Sequence, residues 1–460
     1  MNRQGGGQGV VAFVFAAAVV AGGLGLDHGL GVRAQDAPLA GGTNSGAWLC
    51  PHGGGAGWQG RIYLANPGTE RSSVRITALT GKNAAAVQTV NVDPGTTSEV
   101  EVPATEKEAS TYVEYFGGWV AAGWLTVAPD SSGNGVGAEP CAPATDARSW
   151  FTANGGTPKG ATANLIIMNP YGVNAIFDVV LFAADRAPVH QGDLTDLVLK
   201  SHRSMVVPIA SILPLEAAVG SEIDVHAGRV GVAAVDTSVS DGVGAVLGGT
   251  SLTPSITIPA LAGNGQRSLS LTVPSADGVH LDGSNLSEGA TRAVPELSNV
   301  TQDGQTSQAY NVVTSGAAGL RVLPQQGSTG AFVASLQSTG EGSDLGATGG
   351  APPASRWVVL PTVAGDPATP GLVITNPGAE AATATLHALT AGGPSDVTVS
   401  VPAASSAAAP VAFLSAAEAS GVLITTTGAD VIAAGASQSL GQNGIAGYAM
   451  AVGIAVPDQP

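Results

Sequence analysis

Ile62-Tyr63-Leu64-Ala65-Asn66-Pro67-Gly68 is a run of strand-forming residues that stops at Asn-Pro, and the chain repeats it. Leu165-Ile166-Ile167-Met168-Asn169-Pro170 and Leu372-Val373-Ile374-Thr375-Asn376-Pro377-Gly378 are copies, and Leu269-Ser270-Leu271-Thr272-Val273-Pro274 is a copy without the asparagine. Pro67, Pro170, Pro274 and Pro377 lie 103, 104 and 103 residues apart, so the chain is a tandem array of four repeats. Proline has no N–H to give a β-ladder and asparagine caps turns, so each Asn-Pro ends one strand and swings the chain toward the next. The asparagine therefore reads as structural.

Upstream of the turn, Trp48, Trp150 and Trp357 open repeats 1, 2 and 4, with Ile256 in about that place in repeat 3; the tryptophans read as core plugs rather than ligand contacts. Downstream come alternating strands such as Val74-Arg75-Ile76-Thr77-Ala78-Leu79 and Phe177-Asp178-Val179-Val180-Leu181-Phe182. Val90 to Pro103 reads as a hairpin through Asp93-Pro94-Gly95, and a second hairpin returns on small residues such as Val120-Ala121-Ala122-Gly123 and Ile432-Ala433-Ala434-Gly435. Six or seven short strands per hundred residues, with frequent turns, predict an all-β chain of four tandem immunoglobulin-like or fibronectin-like β-sandwiches. A β-propeller is the main rival, but its blades repeat about every 40 to 50 residues, half the period here. The sandwiches are expected at 47–146, 147–250, 251–336 (divergent) and 355–460, with 337–354 as a Gly/Ser/Pro linker and 183–196 and 282–310 as loop insertions.

The composition agrees. Of 460 residues, 65 are Gly and 29 Pro, only 4% are aromatic, and 44% are apolar, which suits short strands and turns and excludes a disordered chain. A formal charge of −17 excludes nucleic acid as a partner, since that needs Lys and Arg against phosphates. Residues 1–34 hold Arg3 and an apolar run from Val10 to Leu26, a signal peptide or an N-terminal membrane anchor, and 35–46 reads as a flexible stem. Either way the remainder is expected outside the cytoplasm, extracellular or in the cell envelope, touching membrane only through that segment if it is uncleaved. Cys50 and Cys141 are the only cysteines, and in an exported chain an even pair reads as a disulfide; metal binding by two lone thiols is the alternative.

Trp150-Phe151 leading to Asn169-Pro170, then Val206-Val207-Pro208 and His226-Ala227-Gly228-Arg229-Val230-Gly231-Val232-Ala233-Ala234, resembles an actinobacterial family of secreted proteins, domain of unknown function 5719. The resemblance runs from about Trp48 to the C-terminus, best in repeat 2 and poorest in repeat 3. It implies export and β-sandwich repeats and carries over no catalytic residue.

Seven histidines are scattered singly, none at i, i+2 or i, i+4 from another, and there is no Gly-x-Ser-x-Gly elbow or phosphate loop. No catalytic, cofactor-binding or metal-binding residue is therefore expected, and the chain reads as a non-enzyme. Two local features stand out. Lys200, His202 and Arg203 at one turn and His226 with Arg229 at another would form a cationic site if the two turns share an end of the sandwich. In repeat 1, Tyr115, Phe116, Trp119 and Trp124 offer a ligand platform: the two tryptophans are five positions apart, and a regular strand would put one of them outward. A bulge or a neighbouring repeat could instead cover that ring. The function expected is a non-catalytic envelope binding or scaffold module for an unknown glycan or protein. The alternatives are a passive extracellular spacer or stalk, and a hydrolase of envelope glycans with a site assembled from loops.

Overall fold

The computed structural model describes residues 44–457 apart from 83, 130–133, 191, 239–241, 262–266, 313–316, 340–344, 363–367, 418–419 and 441–445. The expected signal peptide or anchor and nearly all of the stem lie outside the described residues. All the described residues fall in one compact unit.

Repeat 1 consists of β1 (Ser45–Cys50), β2 (Gln59–Asn66), β3 (Ser72–Leu79), β4 (Ala84–Val92), β5 (Thr96–Pro103), β6 (Ser110–Phe116), β7 (Ala121–Pro129), β8 (Asn134–Pro140) and β9 (Ala142–Pro143). They form a five-stranded sheet in the order β4-β3-β6-β1-β9 and a four-stranded sheet in the order β5-β2-β7-β8. Alternation sends Ile62, Leu64, Val74, Ile76, Val113 and Tyr115 into a shared core between them. This is the expected all-β sandwich, and Trp48, Trp150 and Trp357 are buried in it as plugs. The connections differ from the sequence reading. β4 and β5 lie in different sheets, as do β6 and β7, so both expected hairpins are corners at which the chain crosses from one sheet to the other.

Repeat 2 follows the same plan with β10 (Ser149–Asn154), β11 (Ala161–Asn169), β12 (Ala175–Phe182), β13 (Leu197–Leu199), β14 (Arg203–Pro208), β15 (Val219–Ala227), β16 (Gly231–Ser238) and β17 (Gly242–Leu247). Its sheets run β10-β15-β12-β13 and β14-β11-β16-β17. Repeats 3 and 4 each contribute another pair of sheets. The supposed linker is not one. Residues 333–339 and 345–349 are the last two strands of repeat 3, paired Ser335 to Gly349 through Thr339 to Leu345. The supposed insertion 282–310 likewise holds strands, among them Val300–Gln302 and Thr306–Val312. In the supposed linker Gly346 and Gly350 are tightly packed: a Cβ on the first would stand 2.7 Å from Tyr448 and one on the second 2.3 Å from Ile256.

The reason for that packing is that the repeats close on themselves. The last long strand of each repeat meets the others: β8 touches β17 and Ala446–Val452, and Leu345–Gly349 touches β17 and Ala446–Val452. The four repeats form a ring about these strands. Small residues allow the approach: a Cβ at Gly137 would come within 2.8 Å of the Val243 side chain, and one at Gly346 within 2.7 Å of Tyr448. Around the ring, Leu49 and Tyr112 of repeat 1 join the core of repeat 2, Tyr448 and Met450 of repeat 4 join that of repeat 3, and Val358, Leu389 and Ile454 of repeat 4 join that of repeat 1. The seam between repeats 4 and 1 is tied by Thr97, whose hydroxyl donates to the Leu389 carbonyl at 3.1 Å and accepts the Gly421 N–H at 2.9 Å.

Three asparagines hold the corners as expected. Asn66, Asn169 and Asn376 are fully buried. Each donates from Nδ2 to the carbonyl four residues on (Glu70, Val173, Glu380) and to the end of a facing strand (Val92, Leu199, Val401), and each accepts the N–H two residues on. Repeat 3 has Val273 in this place. There Gln302, also fully buried, donates from Nε2 to the Leu271 carbonyl at 3.0 Å and to the Thr306 hydroxyl at 3.2 Å, and accepts from the Tyr310 hydroxyl.

Candidate functional site

Ring closure creates a cleft that no single repeat contains. It lies at the seam of repeats 1 and 4, has a volume of about 260 Å³, and is lined by Pro67–Glu70, Gly117–Trp119, Asn44, Arg356, Val456 and Pro457. The volume is just under the usual range for ligand clefts, roughly 300–1,000 Å³. Its floor follows from the Asn66 corner. Asn66 Oδ1 takes the Gly68 N–H at 2.9 Å and fixes the 67–70 turn, while Gly117, at φ 93°, starts the crossing from β6 to β7 with its N–H on the Asn44 carbonyl. Ser72 Oγ donates to the Gly118 carbonyl at 3.0 Å and joins the two turns.

Trp119 lines this cleft at the edge of the core. It is 8% exposed, its ring meets Trp48 edge-on at 6.1 Å, and Trp48 Nε1 donates to the Val120 carbonyl at 2.8 Å. Glu70 and Arg356 bring opposite charges to the same cleft, and neither has an ion-pair partner among the described residues. An indole edge beside a Gly-Gly turn, with two opposite charges, suits a polar ligand with a flat apolar side.

The aromatic platform does not take the expected form. Tyr115 is buried and Trp124, 2% exposed, lies inside against His52 with ring centres 6.2 Å apart. Only Phe116 is exposed, at 48%. The alternation argument fails because Trp119 lies between β6 and β7 rather than on either strand, and because repeat 4 covers that side: the Leu360 side chain lies 2.7 Å from where a Cβ on Gly123 would stand. Burial pulls His52 down to about 4, against a weaker upward pull from its bond to the Gly53 carbonyl.

The cationic site is not assembled either. Arg229 holds its guanidinium carbon over the Tyr171 ring, 4.0 Å from its centre. Arg203 donates to the carbonyl of His202, which sits at φ 54° in the turn, and no described contact joins Lys200, His202 or Arg203 to His226. His226 stands among carboxylates: Nε2 is 3.4 Å from Asp178 and 3.7 Å from Asp224, and Nδ1 is 3.8 Å from Asp196. His190 adds a second imidazole 3.5 Å from Asp178. These acids come from three separate stretches of chain, so no spacing between histidines reveals them. The i, i+2 spacing of Asp224 and His226 on one strand was the available signal.

Cys50 and Cys141 are joined, with Cα atoms 4.5 Å apart, closing a loop over a separation of 91 residues. The bridge fastens the end of β1 to the residue before β9.

No curated protein matches the chain. Residues 117–344 match a family of unknown function (DUF5719). The DUF5719 match starts at the corner that carries Trp119, spans all of repeat 2 and ends between the last two strands of repeat 3. It is shorter than the resemblance drawn from sequence, and it takes in most of repeat 3, the repeat whose corner is rebuilt around Gln302. Arg356 and the rest of repeat 4 lie outside it.

Proposed function

We propose that this chain is an exported, non-catalytic cell-envelope protein that holds an envelope glycan or peptide at the cleft between repeats 1 and 4. The observation that carries the reading is the cleft itself, where Trp119, Glu70 and Arg356 face one volume. Export is supported by the Cys50–Cys141 disulfide, which belongs to an oxidising compartment, and by the apolar run from Val10 to Leu26. Secretion and an actinobacterial source are further expectations of the resemblance. Among the described residues no helix is long and apolar enough to cross a membrane. Closure of the repeats into a ring speaks against a stalk, because a spacer gains length only from repeats laid end to end.

The test is retention of the purified chain by cell-wall fractions. Reversing both charges, Glu70→Lys with Arg356→Glu, leaves the core intact and should lower retention at least fivefold. Equal retention by the variant, or none by the wild type, contradicts the reading. Release of soluble sugar fragments would favour the hydrolase instead.

A further inference from the structure

We propose that the outer face of repeat 2 carries a binding site for a zinc-like divalent transition metal, with Asp178, Asp196 and His226 as ligands. Along β12, Phe177, Val179 and Leu181 are buried, so the alternation turns Asp178 outward. Directly across on β15 lies Asp224. The register then slips: Ile176 pairs with Ala227 and Phe177 with Val225, which leaves His226 as the extra residue of a β-bulge. Bulges re-aim side chains, and this one brings the imidazole over Asp178. Asp196, just before β13, is held in place by donating its N–H to Asp178 Oδ1 at 2.7 Å, so that Oδ2 is the oxygen left for His226 and His190.

The spacing of these atoms suits a cation. The four imidazole–carboxylate separations, 3.4, 3.5, 3.7 and 3.8 Å, are too long for good hydrogen bonds. Of the proposed ligands, His226 Nε2 and Asp178 Oδ2 stand at 3.4 Å, the separation of N and O ligands that share a tetrahedral ion at about 2.0–2.2 Å, while Asp196 lies 3.8 Å from the other ring nitrogen and has to swing toward Nε2 to join them. One ligand atom from each of Asp178, Asp196 and His226 lies within 4.8 Å of the others, so small rotations of exposed side chains close the set. An imidazole among carboxylates selects a zinc-like ion over calcium or magnesium, which prefer oxygen alone. Three protein ligands leave a fourth position for water or for an anionic group of a partner. The site departs from the sequence expectation of no metal ligand, and it is independent of the cleft between repeats 1 and 4.

The experiment is calorimetric titration of the full chain with Zn²⁺ near neutral pH. One ion should bind per chain, Ca²⁺ should not displace it, and His226→Ala and Asp196→Asn should each weaken binding at least tenfold. Both side chains are exposed, at 40% and 85%, so both variants should fold, which their melting curves check. His280→Ala serves as control, its imidazole being engaged with the Thr301 hydroxyl at 2.9 Å, and should bind as the wild type does. Absence of zinc uptake, or undiminished affinity in His226→Ala, overturns the proposal.

Discussion

Repeats 2 and 3 solve the same corner in opposite ways. In repeat 2 the strand that ends at the corner supplies Asn169, and the facing strand offers only the carbonyl of Leu199. In repeat 3 the first strand supplies an apolar Val273, and the polar group comes from Gln302, on the short strand that corresponds to the one ending at Leu199. Both side chains are fully buried and both satisfy main-chain groups that the turn would otherwise strand. What the fold requires is thus a buried amide in the corner, and either strand can provide it.

The largest effect should come from Asn169→Ala. It leaves the Val173 and Leu199 carbonyls and the Tyr171 N–H without their partner, a loss of about 3 kcal/mol on denaturant unfolding. Gln302→Ala should cost about 2 kcal/mol, because Thr306 and Tyr310 can turn toward other partners. A loss under about 0.5 kcal/mol in either would break the comparison. The sharper version moves the amide across the corner. Val273→Asn and Gln302→Val should each destabilise alone, while the double variant recovers at least about 1 kcal/mol of their summed loss. Strict additivity would mean that the two positions do not share one hole.

This corner also shows what the sequence could and could not reveal. The recurrence of Asn-Pro gave the repeat, the strands and the structural role of the asparagine, because a single local device determines all three. Repeat 3 looked divergent because its amide sits 29 positions after Val273, beyond any local pattern. The glycines and serines of 337–354 looked like a linker, since composition does not distinguish residues that are free from residues that must be small. For Gly346 a neighbour across the ring decides that, the Tyr448 side chain of repeat 4. The cleft and the His226 cluster were hidden for the same reason: each gathers side chains from segments far apart in the chain. The sequence pattern puts Trp119 on a hairpin strand, whereas it sits at a corner where the chain passes between two sheets.

A smaller effect marks the seam on the other side of repeat 2. Asp236 on β16 accepts the Gly155 N–H at 3.1 Å, and Gly155 abuts Gln337 of repeat 3. Burial raises the Asp236 carboxyl from 3.8 to about 7, partly offset by that bond. The folded protein therefore keeps a proton that the unfolded chain releases, so this group costs stability as pH rises from about 3.8 to about 7 and adds no further loss above. Asp236→Asn keeps the acceptor and removes the titration. The variant should gain on the order of 2 kcal/mol over wild type at pH 8 and much less at pH 5. His52 acts in the opposite sense, costing stability as pH falls from 6.5 toward 4, and should be unaffected by the change. A gain equal at both pH values would contradict the assignment.

The cleft, its charges and the absence of a linker all depend on the ring, so its closure is the claim to test. Small-angle X-ray scattering of residues 44–457 measures it directly. A closed, compact ring of this length predicts a radius of gyration of about 22 Å and a single compact distance distribution. Four sandwiches strung in a row would give a far larger radius and a long tail of distances, and that result would contradict the account.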